Sequence, residues 1–206
     1  MRLLLYCTKG KLSLRKSIKD KDYYLDNGSE FNIIPKKDYV LNGKVVAECN
    51  YEVEEIFEDN FEDARDGYVE HFYTLKSYDV FDEGQEALLK KSCLQKYELS
   101  NYLGFENGYA IHIKNLHRFD KPKELSEYYS IIDMGGGMLG TKPLTNAPKN
   151  MMRVSVNRWE YCFYNPSDIT ILIPVSPLEM CRIANKEQTI LLRKKVLRGM
   201  IKWVKN

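Results

Sequence analysis

The stretch ITILIPVSPLEMCRIANKEQTILLRKKVLRGMIKWVKN, residues 169–206, decides the fold of this chain. Its first residues, Ile169–Val175, form a nearly continuous apolar run, which is typical of a buried strand. Ser176 and Glu179 have the spacing of a capping box, so a helix begins here, and Asn185 can take the left-handed turn that ends it. A β-branched and aliphatic run follows. The stretch therefore predicts a strand, a short helix and a second strand.

The composition limits the kind of protein that this chain can form. Of its 206 residues, 44% are hydrophobic and 29% are charged, which is enough to bury the core of an ordinary globular domain. Its 15 tyrosines and 8 phenylalanines favour a sheet over a helix bundle, because aromatic rings pack well on a pleated surface. We therefore predict a single β-rich α+β domain over residues 1–206.

Membrane and secretion signals are missing from the sequence. No apolar run approaches the roughly 20 residues that a membrane helix requires. The first residues, MRLLLYCTKGK, are too short and become basic too soon for a secretory signal peptide. The five cysteines occur singly, which predicts reduced and buried thiols. We expect a cytoplasmic protein with no membrane partner.

Patterned runs elsewhere predict the remaining strands and helices. Residues 45–54 alternate apolar and polar side chains, which is the clearest strand signal in the chain. Further strands are predicted at residues 2–7, at 68–75 as a more central strand, and at 109–113 with a break at 119–122; short helices at 86–91, 95–103 and 123–132; and a hairpin at 151–156 and 160–164. About eight strands, mostly antiparallel, favour a partly closed barrel with short helices at its mouth, since closure removes exposed edges.

Two other features of the sequence have a structural interpretation. The glycine-rich stretch Asp133–Gly140 predicts a flexible loop, because it lacks the lysine and the strand-to-helix context of a phosphate-binding loop. His112 and His117, five residues apart on a predicted strand, point to opposite faces, and no neighbouring cluster completes a metal site. We expect neither a metal nor another cofactor.

The net charge of +2 hides two segments of opposite sign. Glu52–Asp66 contains eight acidic residues and one arginine, whereas Arg182–Lys205 contains eight basic residues and one glutamate. Either segment can be a solvated face and nothing more. The acidic segment repels phosphate and the basic segment attracts it, so the basic segment is the better candidate for binding an anionic partner.

The segment Ile171–Arg193 resembles the opening of the ASCH domain, a member of the PUA-like barrel superfamily. That family begins with a strand, a helix started by proline, and a Gly-x-Lys-x-x-Glu-x-Arg motif that runs into the next strand. The corresponding residues here are Ser176-Pro177, Lys186, Gln188, Leu191 and Arg193, of which only the arginine is kept at its motif position. Other segments also resemble parts of ASCH-like proteins of phages and their bacterial hosts: Leu41–Glu48, Gly108–Ile113, Phe119–Leu125 and Ala147–Met152.

The order of these elements differs from that of the relatives. Their strand–helix–strand unit comes first and runs into a segment like Leu5–Gly10, whereas here it comes last, at residues 169–206. This order indicates a circular permutation of an ASCH-like, PUA-type barrel, in which residues 202–206 end close to Met1 of the same or another chain. The protein is then a monomer or an exchanged homodimer.

Three functions are open, of which the resemblance implies the first and the third, while the acidic segment suggests the second. The first is binding of RNA, a nucleotide or a modified base, without chemistry, in a basic cleft beside the helix that starts at Pro177. The second is a protein-interaction module, for instance a phage inhibitor of a host protein whose acidic segment imitates nucleic acid. The third is hydrolysis of the amide bond of acylated cytidine, because some small ASCH proteins are similar to amidohydrolases that act on that substrate. We favour binding over catalysis because Gln188 and Leu191 occupy the hydrolase positions, and neither can serve as nucleophile or base.

The predicted nucleic-acid site joins two basic clusters that the permutation would bring together. Lysines and arginines neutralise phosphates, and aromatic rings beside them can stack on bases. The predicted binding residues are Lys9, Lys11, Lys186, Thr189, Arg193, Lys194, Lys195 and Arg198, with Tyr6 and Trp203 as stacking residues or, alternatively, core residues.

Overall fold

The computed structural model describes residues 2–8, 14–16, 23–25, 30–31, 43–63, 68–160, 162–163 and 169–200. The described part of the chain is β-rich, with thirteen strands, three short helices and a mostly antiparallel, unclosed sheet. The β-rich prediction is therefore confirmed. In the part of the chain that the structure describes, no helix is long and apolar enough to cross a membrane.

The described residues form thirteen strands and three helices, numbered here in chain order. The strands are β1 (Arg2–Cys7), β2 (Leu14–Lys16), β3 (Tyr23–Leu25), β4 (Glu30–Phe31), β5 (Lys44–Asp63), β6 (Tyr68–Leu75), β7 (Gly108–Lys123), β8 (Tyr129–Gly135), β9 (Met138–Pro143), β10 (Met152–Ser155), β11 (Cys162–Phe163), β12 (Thr170–Val175) and β13 (Ile190–Arg193). The helices are α1 (Phe81–Ser92), α2 (Lys96–Leu103) and α3 (Pro177–Ala184), with one 3₁₀ turn at Leu125–Glu127.

The chain divides into two compact units. The first unit comprises Met1–Asn50 and Asn115–Asn185, and the second comprises Tyr51–Lys114 and Lys186–Asn206. The long strands β5 and β7 each contribute one segment to each unit. The assignment of residues 1–206 to a single ASCH-like domain stays a prediction.

The first unit is built on a sheet in the order β11-β9-β8-β10-β12-β1-β5. Strand β1 pairs in parallel with β12 and antiparallel with the start of β5, so it is paired along both edges. Helix α3 packs against β1. Buried apolar residues from several strands form the core of this unit: Leu4, Tyr6, Val45, Phe119, Tyr128, Leu144, Val154 and Leu172. The strands β2, β3 and β4 form a separate antiparallel sheet.

The second unit combines four strand segments with two helices. Residues 56–63 of β5 pair with all of β6, and residues 109–112 of β7 pair with β13, both in antiparallel fashion. Helices α1 and α2 pack against β6, and α1 also contacts β13. The buried core comprises Ile56, Tyr73, Leu75, Leu88, Leu99, Leu103, Ala110, Ile190 and Leu192.

Local signals set the ends of the helices. The predicted capping box of α3 is present, with the Ser176 side chain accepting from the Glu179 backbone N–H at 3.2 Å. The predicted left-handed turn is displaced by one residue, because Asn185 has a φ of −78° and Lys186 has a φ of 62°. Helix α2 ends at Gly104, whose φ of 66° favours a residue without a Cβ atom.

Four predictions about individual elements are wrong. The predicted hairpin at residues 151–164 does not form, because β10 pairs with β8 and β12 while β11 pairs with β9. Strand β7 continues to Lys123 instead of breaking before Pro122. Strand β6, expected to be central, pairs only with β5 among the described strands. Residues 123–132 contain one 3₁₀ turn and the start of β8 instead of a helix.

The flexible loop predicted at Asp133–Gly140 is also wrong, because these residues form the ends of β8 and β9 and the tight turn between them. Gly135, Gly136 and Gly137 all have positive φ angles, and a Cβ atom added at any of them would meet nothing within 4 Å. Of the five free cysteines, Cys7, Cys49 and Cys181 are buried as predicted, whereas Cys93 and Cys162 are partly exposed.

Gly84 in α1 provides the first test of the packing. A Cβ atom at this buried position would lie 1.8 Å from Oγ1 of Thr74 on β6. Helix propensity alone favours alanine over glycine by about 1 kcal/mol. We expect the overlap to reverse that sign, so that Gly84→Ala lowers the free energy of unfolding by about 1–3 kcal/mol in urea titrations.

The exposed helix residue Glu86 supplies the control, because Glu86→Ala changes the same helix without a packing conflict. Thr74→Ala removes the hydroxyl that the methyl group introduced by Gly84→Ala would overlap. Combining the two substitutions should therefore recover part of the lost stability. A Gly84→Ala protein that is as stable as the unchanged chain would contradict the packing described here.

The buried thiols of β1 and β5 predict a loss of stability at alkaline pH. Burial raises the pKa of Cys7 and of Cys49 from 9.0 to about 12. Above pH 9 the unfolded chain therefore binds fewer protons than the native chain, so stability that is complete below pH 9 falls as pH rises. We expect a decrease of up to about 1.4 kcal/mol per pH unit for each thiol, measured by urea unfolding between pH 8 and pH 10.

The double variant Cys7→Ala and Cys49→Ala isolates this effect from other titrating groups. Its stability at pH 8 will be lower because two core side chains are shortened, but its dependence on pH between 9 and 10 should be shallower. An unchanged slope would show that the two thiols do not hold their protons in the native state.

A basic strand end and an adjacent groove in the second unit

Six of the predicted phosphate-binding residues, five of them basic, are described by the structure, and all six belong to the second unit. Arg193 is the last residue of β13 and is partly buried, with its Nη1 donating to the Leu192 carbonyl at 2.6 Å. The other members of this set are exposed: Lys186, Thr189, Lys194, Lys195 and Arg198. The backbone of Thr189 is fixed on both sides, since its N–H donates to Lys91 and its carbonyl accepts from Ile113, each at 2.9 Å. These residues therefore belong to β13, to the residues that precede it and to the residues that follow it.

The remaining predicted residues do not add to this surface. Lys9, Lys11 and Trp203 lie outside the described residues, as does the predicted approach of residues 202–206 to Met1. Tyr6 belongs to the core of the first unit and is 1% exposed. Burial raises the pKa of its hydroxyl, with a smaller contribution from Cys7. A ring in this position offers no face to a base, so Tyr6 is a core residue and the stacking role is corrected.

The C-terminal end of α2 lies beside the end of β13. The hydroxyl of Tyr102 donates to the carbonyl of Leu192 at 3.1 Å. The ammonium of Lys194 lies 3.2 Å from the position that a Cβ atom of Gly104 would occupy. Because Tyr102 is 40% exposed, an aromatic ring is available next to the lysines of the strand end. The sequence prediction did not include Tyr102.

Four carboxylates of the acidic segment contact basic or imidazole side chains of the second unit. Glu52 forms an ion pair with Lys114 at 2.6 Å and Glu55 with Lys76 at 3.2 Å, while Glu54 and Glu58 contact imidazole nitrogens of His112 at 2.8 Å and His71 at 2.5 Å. These partners extend from β6, β7 and the residue after β6. In contrast, Lys186, Lys194 and Lys195 have no ion-pair partner among the described residues. The local excess of positive charge therefore lies at the end of β13.

A groove of about 540 Å³ opens between β6 and α2. It is lined by Val69, Glu70, His71, Gln95, Lys96, Tyr97, Ser100 and Phe105. The His71 ring lies against the Phe105 ring, with 4.1 Å between the centroids. Phe105 follows the helix-terminating glycine with a φ of 60°, and its N–H donates to the Tyr73 hydroxyl at 3.1 Å. The groove therefore has an aromatic wall that is fixed by a buried tyrosine.

The two positions at which the ASCH resemblance predicts hydrolase residues are closed to solvent. Gln188 is 5% exposed and its Nε2 donates to the Ile190 carbonyl at 2.9 Å, while Leu191 is fully buried. Neither side chain can reach a substrate in this conformation. In the described ranges, no three His, Cys, Asp or Glu side chains are grouped to hold a metal ion. The two histidines singled out in the sequence instead pair with carboxylates, His112 with Glu54 and His117 with Glu48 at 3.5 Å.

Known proteins supply no family for this chain, since no family model, curated protein or solved structure matches it. The resemblance to ASCH domains therefore stays a prediction. What the chain does must be inferred from its own charges, rings and strand edges.

Proposed function

We propose that the second unit binds single-stranded RNA or a nucleotide without chemistry, through the end of β13. Lys194 and Lys195 would neutralise phosphates, with Lys186, Arg193 and Arg198 around them. The observation that carries this proposal is the distribution of charge pairing. Four carboxylates of the acidic segment have basic or imidazole partners, whereas three lysines near β13 have no ion-pair partner among the described residues. A surface with this excess of positive charge attracts a polyanion.

An aromatic ring beside lysines is the usual arrangement for binding unpaired bases. Tyr102 takes the stacking role that the buried Tyr6 cannot fill, because its exposed ring lies next to the end of β13, and Trp203 stays a predicted stacking residue. A stacked base is worth about 1–3 kcal/mol and depends little on sequence. The proposed site therefore binds single strands in preference to duplexes.

The alternative of an acidic segment that imitates nucleic acid has less support. Such a mimic must present unpaired carboxylates to its partner. Glu54 and Glu58, which have side-chain exposures of 15% and 17%, instead contact His112 and His71.

We also propose that the fold is a permuted ASCH-type, PUA-like barrel. The strand–helix–strand order of β12, α3 and β13 supports this, together with the parallel pairing of β12 with β1. A strand like β1 is expected to follow this segment in ASCH domains, so the adjacency of β12 and β1 supports the proposal. Because the described sheet is unclosed, the proposal concerns the order and pairing of the strands, and a solution structure in which β12 does not lie beside β1 would contradict it.

Charge reversal at the strand end tests the binding proposal directly. Lys194→Glu combined with Lys195→Glu should weaken binding of a fluorescent 15-nucleotide oligouridylate at least tenfold at low salt. Each lost phosphate contact lowers the slope of log K against log salt by about 0.7 for a single strand, so the double variant should lose about 1.4 from that slope. Fluorescence anisotropy over a range of salt concentrations measures both quantities.

Lys121→Glu combined with Lys142→Glu is a matched control, because it makes the same change of charge at exposed positions of the first unit. This control should bind nearly as the unchanged chain does. Equal weakening by both double variants would mean that only the net charge matters, and the strand end would no longer be the site.

Tyr102 allows the contribution of stacking to be separated from that of charge. Tyr102→Ala removes the ring and should weaken oligouridylate binding about 5- to 150-fold, since stacking is worth about 1–3 kcal/mol. Its salt dependence should stay unchanged because no cation is lost. Tyr102→Phe keeps the ring and loses only the hydrogen bond to Leu192, so it should retain most of the affinity. Similar losses in both variants would indicate a structural role for the hydroxyl and no stacking.

A further inference from the structure

The pairing of β5 with β6 determines which backbone groups of β6 point away from the sheet. Lys76 N–H donates to the Glu55 carbonyl at 3.1 Å, so this opposed pair is hydrogen-bonded. Hydrogen-bonded pairs alternate with non-hydrogen-bonded pairs along an antiparallel ladder. The register is continuous from Leu75 opposite Ile56 to Tyr68 opposite Asp63. The backbone groups of Val69, His71, Tyr73 and Leu75 therefore face outward from β6.

Two of these four residues have partners at the outer edge. The Leu75 carbonyl accepts from the Tyr78 N–H at 3.1 Å, and the Tyr73 N–H donates to Oε1 of Gln85 at 3.4 Å. Both contacts agree with the alternation. The outward N–H and C=O groups of Val69 and His71 have no hydrogen-bond partner among the described residues. The outer edge of β6 is therefore satisfied at its C-terminal half and open at its N-terminal half.

The open half of this edge lies in the groove between β6 and α2. Val69 and His71 line the groove on one side, and Tyr97 of α2 lines it with Phe105. Three of the side chains that line the groove are large, hydrophobic and exposed: Val69 is 41%, Tyr97 is 62% and Phe105 is 60% exposed. Backbone donors and acceptors thus lie beside side chains that gain from being covered.

The charges of the groove are balanced among its own residues. Glu70 forms an ion pair with Lys96, whose ammonium also lies 4.3 Å from the centroid of the Phe72 ring. His71 Nδ1 donates to the carboxylate of Glu58 when that nitrogen carries a proton. A groove with paired charges fits the neutral backbone of a peptide and apolar side chains, and it provides no excess positive charge for phosphates.

We propose that an extended peptide segment of a partner protein binds in this groove as an additional strand on the edge of β6. The N–H and C=O groups of Val69 and His71 would form up to four backbone hydrogen bonds with the peptide. Apolar or aromatic peptide side chains would contact Tyr97 and Phe105, which supply specificity in this mode of recognition. A second copy of this chain fits less well, because its own β6 edge has α2 beside it.

Hydrogen exchange of the free protein tests the premise. The amides of Val69 and His71 should exchange rapidly, whereas those of the intervening Glu70 and of Phe72, which face β5, should be protected. Amide exchange followed by NMR resolves these neighbours. Slow exchange at Val69 and His71 in the free protein would overturn the proposal, because the edge would then already be paired.

A selected peptide tests the binding itself. The probe is the most enriched sequence from a phage-displayed library of linear decapeptides selected on the full chain, prepared synthetically. Its binding should slow amide exchange at Val69 and His71. The variant Val69→Pro removes an outward N–H without removing a bond to β5, and it should weaken peptide binding at least tenfold. Val69→Thr keeps the N–H and should bind normally, with both variants checked for cooperative unfolding.

The outcomes separate a peptide from other occupants. Failure to enrich any peptide, or equal affinity of Val69→Pro and Val69→Thr, would overturn the proposal. Protection of Val69 and His71 by oligouridylate and not by the peptide would assign the groove to nucleic acid. Protection that increases with protein concentration alone would assign it to a second copy. The variant with Lys194→Glu and Lys195→Glu should bind the peptide normally, because the peptide site does not use the strand end.

Discussion

The register in which β5 pairs with β6 is the constraint on which most of the second unit depends. It places Tyr73 and Leu75 in the core, where both are fully buried. A slip of one residue would turn these side chains to the opposite face and expose them, so the register is strongly specified. The same register brings Glu58 diagonally to His71 and leaves the outer backbone groups of Val69 and His71 facing the groove. Core packing, ion pairing and the open edge thus have one cause.

The position of β5 between β6 and β7 also explains why the sign of the charge on a segment is a poor guide to the charge that a partner meets. The acidic segment is strongly negative in the sequence, yet cross-strand neighbours on β6 and β7 supply Lys114, His112 and His71. Opposed charges on adjacent strands stabilise a sheet modestly and screen one another. Lys194 and Lys195 follow the last residue of β13, beyond the four residues that pair with β7, and no carboxylate among the described residues forms an ion pair with them. Strand geometry therefore determines which of the two charged segments remains available.

The sequence predicts elements well where a local signal exists. Alternation over residues 45–54, the capping box at Ser176 and the glycine at position 104 all predict features that the structure contains. Pairing between distant strands has no such signal, which is why the predicted hairpin is wrong. Pro122 is the penultimate residue of β7, where the loss of one N–H is tolerated, so it does not end the strand where a proline rule alone would place the end. The candidate site could be predicted only in part, because Tyr102 and Phe105 become candidates only when α2 packs beside β13 and β6. A helix that ends at a glycine and is flanked by aromatic residues is the signal that could have found them.

An open strand edge is a liability that proteins usually remove, by covering it or by placing charges on it. On β6 the C-terminal half is satisfied by contacts with Gln85 and Tyr78, whereas the N-terminal half faces a groove with exposed rings. Charge does protect the flank of this edge, since Glu70 and Lys96 lie there. Because those two charges neutralise each other, they repel neither sign of partner and deter uncontrolled pairing only by hydration. The combination of paired charges, exposed rings and two open backbone positions suits a short extended segment.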